Sequence, residues 1–249
     1  HRDNKEKGFM YLDHRTVDGK ANIIVDCHIT KGNVHDSKPY IDRIEHIKKV
    51  YHFDIKKVAL DSGYESLDIK KYLIDNNIFG VIGYRRYGNK ETRKYKNEFY
   101  YDNELDIYVK KETGEVLKYT GLIDRNGYKK YSDLNKEHSI LRHIKEEINE
   151  TFKNNRLSEE GTELYKLRKE KVESSFADSK QNHGYRYAVY RGLKKNQHYT
   201  WLICAAQNMK NISIKKEKVN GKPLTNASFI ENVINFFENI KILSQKNCV

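Results

Sequence analysis

Between residues 21 and 84 short apolar runs alternate with stretches of helical periodicity, and this alternation restricts the fold more than any other feature. The run 21–29 is rich in β-branched residues (Ile23, Ile24, Val25, Ile29), as suits a buried strand. With 9–12 it predicts a strand pair turning at Asp18-Gly19. Ser37 can cap a helix that has Pro39 in its first turn and Ile41, Ile44, Ile47 and Tyr51 at helical spacing. A short strand, 57–61, ends in Asp61. Then come a helix over 68–77, carrying Ile69, Tyr72 and Leu73, and a strand over 80–84. Two hairpin-like strands followed by helix, strand, helix, strand predict an α/β fold with a central mixed sheet flanked by helices.

From 85 to 131 the texture changes. Short β-like pieces at 98–101, 106–110, 116–120 and 127–131 alternate with the turn pairs Asn89-Lys90, Asp102-Asn103, Thr113-Gly114 and Asn126-Gly127. They predict a small antiparallel β insertion. Helices follow: an amphipathic one over 140–154, a long one from Ser158 to about 180, and a compact apolar one over 199–210. Residues 215–224 read as a polar linker and 228–243 as a last helix. The expected organisation is a first part of the main domain over 1–84, a β-rich insertion with a helical exit over 85–150, the rest of the main domain over 151–214, and a C-terminal linker and helix over 215–249.

Charge narrows the function. The 249 residues carry 47 Lys/Arg against 35 Asp/Glu, a net of +12. The excess is concentrated: 180–218 holds nine Lys/Arg and one acid, Glu217, a surplus of eight. Tyr185, Tyr187, Tyr190, Tyr199 and Trp201 are interleaved with these cations. Such a segment suits a polyanion, since cations release counterions from phosphates and aromatic rings offer stacking faces. It equally describes a solvated basic surface with tyrosines packed beneath. The mean hydropathy of −0.89 and the lack of a long apolar run argue against a membrane-spanning chain. Cys27, Cys204 and Cys248 lie far apart with no CxxC, which argues against a disulfide scaffold or a Cys-rich zinc site.

Two carboxylates stand out. Lys166, Lys169, Glu173, Ala177 and Lys180 share one helix face, so a single carboxylate sits in a stripe of lysines. Alone, the stripe is also what ordinary Lys–Glu pairing on a wet helix looks like. Asp61 closes a strand before Ser62-Gly63-Tyr64, where α/β sheets direct carboxylates into a ligand crevice. A turn-capping aspartate has the same sequence signature.

Four blocks occur in order: Tyr11-Leu12-Asp13-His14-Arg15-Thr16-Val17-Asp18, Thr30-Lys31-Gly32-Asn33-Val34-His35-Asp36-Ser37, Leu60-Asp61-Ser62-Gly63-Tyr64 and Glu173-Ser174-Ser175-Phe176-Ala177-Asp178-Ser179-Lys180. Together they resemble bacterial insertion-sequence DDE transposases over about 8–211. The resemblance implies an RNase H-like mixed sheet flanked by helices, interrupted by the β insertion. It implies three carboxylates holding two divalent ions, Mg²⁺ or Mn²⁺, for phosphodiester hydrolysis and strand transfer. Asp61 matches the second carboxylate and Glu173 the last. The family's Tyr, Arg, Glu and Lys positions fall on Lys166, Lys169, Glu173 and Lys180, so lysine replaces tyrosine and arginine. Double-stranded DNA is the implied partner, held by Lys166, Lys169, Lys180, Arg186, Arg191, Lys194 and Lys195. A homodimer on paired ends and a cytoplasmic, nucleoid-associated location in bacteria are implied as well. The first aspartate is expected upstream of His1, on a strand before Gly8, with Asp13 and Asp26 as fallbacks. Residues 131–142 lack the cysteine cluster of close relatives, and His138 with His143 makes a poor zinc site. The alternatives are a non-catalytic basic DNA-binding remnant and an RNase H-like nuclease that cuts without strand transfer.

Overall fold

The computed structural model describes residues 10–84, 97–135 and 138–220, with side chains described to 214. In chain order the elements are β1 (Tyr11–Val17), β2 (Ile24–Lys31), α1 (Tyr40–Tyr51), β3 (Lys57–Leu60), a 3-10 turn (Ser62–Tyr64), α2 (Leu67–Asp75) and β4 (Phe79–Ile82). They continue with β5 (Phe99–Asp102), β6 (Ile107–Lys110), β7 (Val116–Ile123), β8 (Tyr128–Ser132), β9 (Ser139–His143), α3 (Glu146–Leu157), α4 (Glu159–Asn182) and α5 (Leu193–Asn220). Mixed α/β architecture with an antiparallel insertion is thus what the chain adopts, but among the described residues the expected central mixed sheet is not formed: β1 with β2 and β3 with β4 are separate two-stranded sheets. It divides into two compact units, one drawn from residues 10–55 and 163–220, the other from 56–162. No described helix is long and apolar enough to cross a membrane.

In the first unit β1 and β2 pair antiparallel, with Tyr11 opposite Lys31 and Arg15 opposite Cys27. Asp18 N–H donates to the Ile23 carbonyl at 2.8 Å across the turn. Helix α5 is attached to β2 by side-chain amides. Asn208 Oδ1 accepts from Ile24 N–H and its Nδ2 donates to the Ile24 carbonyl, both at 2.8 Å. Gln197 accepts from Ile29 N–H at 2.8 Å and donates to the Cys27 carbonyl at 3.0 Å. These amides meet the demand for partners of strand peptide groups that would otherwise go unpaired. Beneath them Ile24, Cys27 and Cys204 form a small apolar cluster. Helix α1 buries Ile44 and Ile47, as its spacing predicts. The expected Ser37 cap is not formed: Pro39 occupies the N-cap, and Ser37 Oγ pairs with His35 Nδ1 at 2.8 Å.

In the second unit β3 and β4 run parallel, joined through α2. Ser66 caps α2, accepting from Ile69 N–H at 3.5 Å. Ile69, Leu73, Val81, Ile82 and Phe152 are buried around this pair. Each such burial is worth about 1.5–3 kcal/mol. Gly80 gives these side chains their room: a Cβ would come within 2.7 Å of the Phe152 ring and 2.8 Å of Leu73, and both would have to shift. Strands β5 to β9 form an antiparallel meander in sequence order, around Phe99, Tyr108, Leu117, Tyr131 and Ile140.

Two expectations are corrected. Residues 140–143 are strand, not the start of a helix, because β9 pairs with β8 and alternates Ile140 and Arg142 inward. The helix begins only at Glu146. Residues 215–220 continue α5 instead of opening a linker. The expected strand at 9–12 begins at Tyr11, while the turn pair at 89–90 and the last helix, 228–243, lie outside the described residues.

Candidate active site

Glu173 stands on α4, in the first unit. Lys166, Lys169, Glu173, Ala177 and Lys180 are all exposed, so the stripe read from helical spacing is solvent-facing. Glu173, Phe176, Ala177, Lys180, Gln181 and Arg186 line an open cleft of about 400 Å³. One carboxylate therefore shares a cleft with two cations and an aromatic ring. Arg191, Lys194 and Lys195 are exposed beyond it, at the entry to α5.

Behind the stripe α4 is anchored by a buried arginine. The Arg15 side chain reaches from β1 into the α4–α5 junction, and its Nη2 meets Asp13 Oδ2 at 2.6 Å. Its Nη1 donates to Ser175 Oγ at 3.0 Å, Ser179 Oγ at 2.8 Å and Gln207 Oε1 at 3.1 Å. The guanidinium carbon lies 4.4 Å from the centroid of Phe176, the ring that lines the cleft. Gln207 Nε2 donates to the Ser175 carbonyl at 2.8 Å and to Asp178 Oδ2 at 2.9 Å. Lys210 Nζ meets Asp178 Oδ1 at 2.7 Å. Burial works against the Asp178 charge, but hydrogen bonds from Lys210, Asn182 and Gln207 overcome it and hold the carboxyl below its usual range. Asp13 moves the other way: burial raises its pKa, and Arg15 opposes this only in part. Ser175 and Ser179, one helical turn apart, are the members of this network that residue-type reasoning passes over. Their four-residue spacing on the face opposite the lysines is the signal that could have marked them.

Asp61 belongs to the second unit. It follows β3 and is exposed, and its Oδ1 accepts from Ser62 N–H at 2.8 Å, opening the 3-10 turn. Both fallback aspartates are held by arginines: Asp13 by Arg15, and Asp26 by Arg43, whose Nε donates to it at 2.8 Å. Among the described residues the one cluster of three metal-ligating side chains is Glu115, Asp133 and His138, in the β insertion. Here His138 Nδ1 lies 3.1 Å from Glu115 Oε1 and 3.8 Å from Asp133 Oδ2. Neither Asp61 nor Glu173 is part of that cluster. His143 is not part of it either, its Nδ1 accepting from Lys145 N–H at 3.0 Å.

Residues 126–213 match the family model described as "Transposase DDE domain". The matched stretch runs from β8 through most of α5. It contains Glu173 and the cations from Lys166 to Lys195, while Asp61 lies outside it. No curated protein matched, and neither did any solved structure. The match supports a transposase-type function, with DNA as the class of substrate that the family acts on and divalent metals as its usual cofactors. Over this stretch the chain is similar to the insertion-sequence DDE transposases, the family that its four sequence blocks resemble.

Proposed function

We propose that this chain is the catalytic region of a DNA transposase, built on an RNase H-like framework, that cuts and rejoins phosphodiester bonds at insertion-sequence ends. The observation that supports this reading is the α4 cleft, where Glu173 lies with Lys180 and Arg186. A phosphate beside hard cations needs carboxylate oxygens for the metals and fixed positive charge for the non-bridging oxygens. In this reading Glu173 supplies the first need, and Lys180 with Arg186 supplies the second. Asp61, at the C-terminal end of a parallel strand, is the partner carboxylate. Lys166 and Lys169 extend the cationic track along α4. When bound, two Mg²⁺ or Mn²⁺ ions would polarise the phosphoryl oxygen and make water or a 3′-hydroxyl the better nucleophile. In the hydrolytic step water oxygen bonds to phosphorus and the 3′-oxygen leaves. In strand transfer the freed 3′-hydroxyl oxygen bonds to a target-strand phosphorus while that phosphorus releases its own 3′-oxygen, which takes up the proton, so one phosphodiester replaces another. Asp13 and Asp26 are committed to Arg15 and Arg43, so neither serves as the third carboxylate in this reading. Two copies working on paired duplex ends, in the bacterial nucleoid, complete it.

The test is metal-directed scission. With Fe²⁺ in place of Mg²⁺, and ascorbate with peroxide added, hydroxyl radicals cut the polypeptide next to the bound ion. Cuts near Asp61 and Glu173, lost in Asp61→Asn and Glu173→Gln, are expected. Cuts confined to Glu115, Asp133 and His138 would put the metal elsewhere and overturn the assignment. The commitment of Asp13 and Asp26 to arginines favours a second reading, a non-catalytic basic DNA-binding protein. Its signature would be salt-sensitive DNA binding with no metal-directed cuts at all.

A further inference from the structure

The outer face of α5 carries an aromatic surface that the cleft does not use. Lys194, His198, Trp201 and Ala205 fall on one stripe, flanked by Lys195 and Leu202, and all six are exposed. Asn196, Thr200, Ile203, Cys204 and Gln207 on the other side are buried. Trp201 keeps 53% of its surface in water and Leu202 keeps 70%. The His198 and Trp201 rings stack with centroids 5.3 Å apart and planes 27° apart. Just before the helix, Tyr187 is 82% exposed and Tyr190 48% exposed. Leaving a tryptophan, a leucine and a tyrosine in water forgoes burial energy, so the surface is best explained by a partner.

We propose that this face binds an unpaired DNA strand, with a base stacked on Trp201 and phosphates held by Arg191, Lys194 and Lys195. The choice follows from charge and ring geometry. From Ser179 to Lys216 the sequence contains no Asp or Glu. A second copy docking through the same face would bring cation against cation with no acid between them, whereas a polyanion complements the whole stripe. Duplex DNA would satisfy the cations alone, because its base faces are closed within the stack. An exposed indole already layered on an imidazole matches a strand whose bases are open. The inference rests on the DNA-acting reading for the identity of the polyanion, and it adds a contact outside the cleft.

The chain has a single tryptophan, so its intrinsic fluorescence reports on this face directly. Titration with oligothymidylate is expected to quench that emission, and added sodium chloride to restore it. A duplex of equal length should bind, as seen by mobility shift, with little quenching. Trp201→Ala should weaken single-strand binding roughly tenfold, by loss of one stacked base, and leave duplex binding unchanged. Trp201→Phe should recover most of the loss. Equal losses for both DNA forms, or emission indifferent to single strands, would overturn the proposal. So would an emission shift that follows protein concentration without DNA, because it assigns the face to a second copy. The outcomes are separable from the active-site reading: quenching at Trp201 with no metal-directed cuts at Asp61 or Glu173 keeps this inference and removes the other.

Discussion

The two units solve the same problem, joining helices or strands into a stable body, with opposite chemistry. The β insertion does it with rings. Tyr108 and Tyr131 lie nearly edge-on at 5.2 Å between centroids, next to Phe99, Leu117 and Ile140. Asp106 accepts from the hydroxyls of Tyr101 and Tyr131, both at 2.5 Å, and the buried Arg142 lays its guanidinium over the Tyr101 ring at 3.6 Å from the centroid. The α4–α5 junction does it with a guanidinium, two serines and a glutamine in its interior. An aromatic core tolerates imperfect partners, because its attraction has no strict direction. A buried polar junction tolerates very little, since each unmet donor or acceptor carries its full desolvation cost. The first unit thereby holds the helix bearing Glu173 in a defined rotation, with the lysine stripe outward and the serines inward. A packing made only of apolar side chains specifies rotation less tightly.

This contrast can be broken at its strongest point. Arg15→Ala leaves the Asp13 carboxylate buried without its cation, and should cost about 3–5 kcal/mol in the first unit. Arg15→Lys should recover little, having lost the fork that serves several acceptors at once. Urea unfolding followed by Trp201 emission reads the loss, while hydrogen exchange at β6 to β8 should stay near wild type. Exchange rising equally in both units would show that the polar junction is not local in effect. The matching lesion in the insertion is Leu117→Ala, a fully buried side chain, expected to cost about 2–5 kcal/mol by leaving a cavity. Hydrogen exchange of β7 and β8 is the measurement.

Acid distinguishes the units further. Asp178 is held below its usual pKa, so its stabilising contribution is present above the unfolded value, about 4, and fades as pH falls below that. Asp13 is shifted upward, so its burial as an anion opposes folding above that range, and protonation relieves this. The two acids therefore pull in opposite directions, and Asp178→Asn should flatten the acid loss while Asp13→Asn should steepen it. Urea midpoints across the acid range, read at Trp201, decide this. At the surface, Lys180→Glu should weaken binding to all duplexes alike and lower the salt slope by about one or more contacts. Mobility shifts with unrelated sequences check it, and a changed sequence preference would point to base readout. The smallest effect is expected at Glu115→Gln. Its contact with the half-exposed His138 is worth no more than about 1 kcal/mol.

Most of the architecture was legible because it is written in local periods. The β-branched run before Ile29, the isoleucines of α1 and the turn pairs of the insertion each identify their element within a few residues. The exposed stripe from Lys166 to Lys180 followed from helical spacing alone, and the cleft places Glu173, Lys180 and Arg186 together along it. Strand β9 was not legible, since Ile140, Leu141 and Ile144 follow a helical period and the adjacent pair Ile140-Leu141 breaks the alternation of a half-buried strand. Pairing with β8 decided the matter. The role of Arg15 was hidden too, because apart from Asp13 its side-chain acceptors lie 160 to 192 positions away.

The sequence by itself determined most of the strands and helices, though not β9 or the end of α5, and it determined where the positive charge collects and which acids stand in company with cations. Those properties depend on neighbours a few residues apart, and chain geometry repeats at that scale. Only the tertiary structure decided that Arg15 is interior while Trp201 stays in water. It likewise decided that Asp13 and Asp26 are spent on arginines, and that the amides of Gln197 and Asn208 complete a strand edge. Hydrogen bonds and burial are settled by whichever groups meet after the chain has closed long loops, and sequence separation carries no record of that meeting.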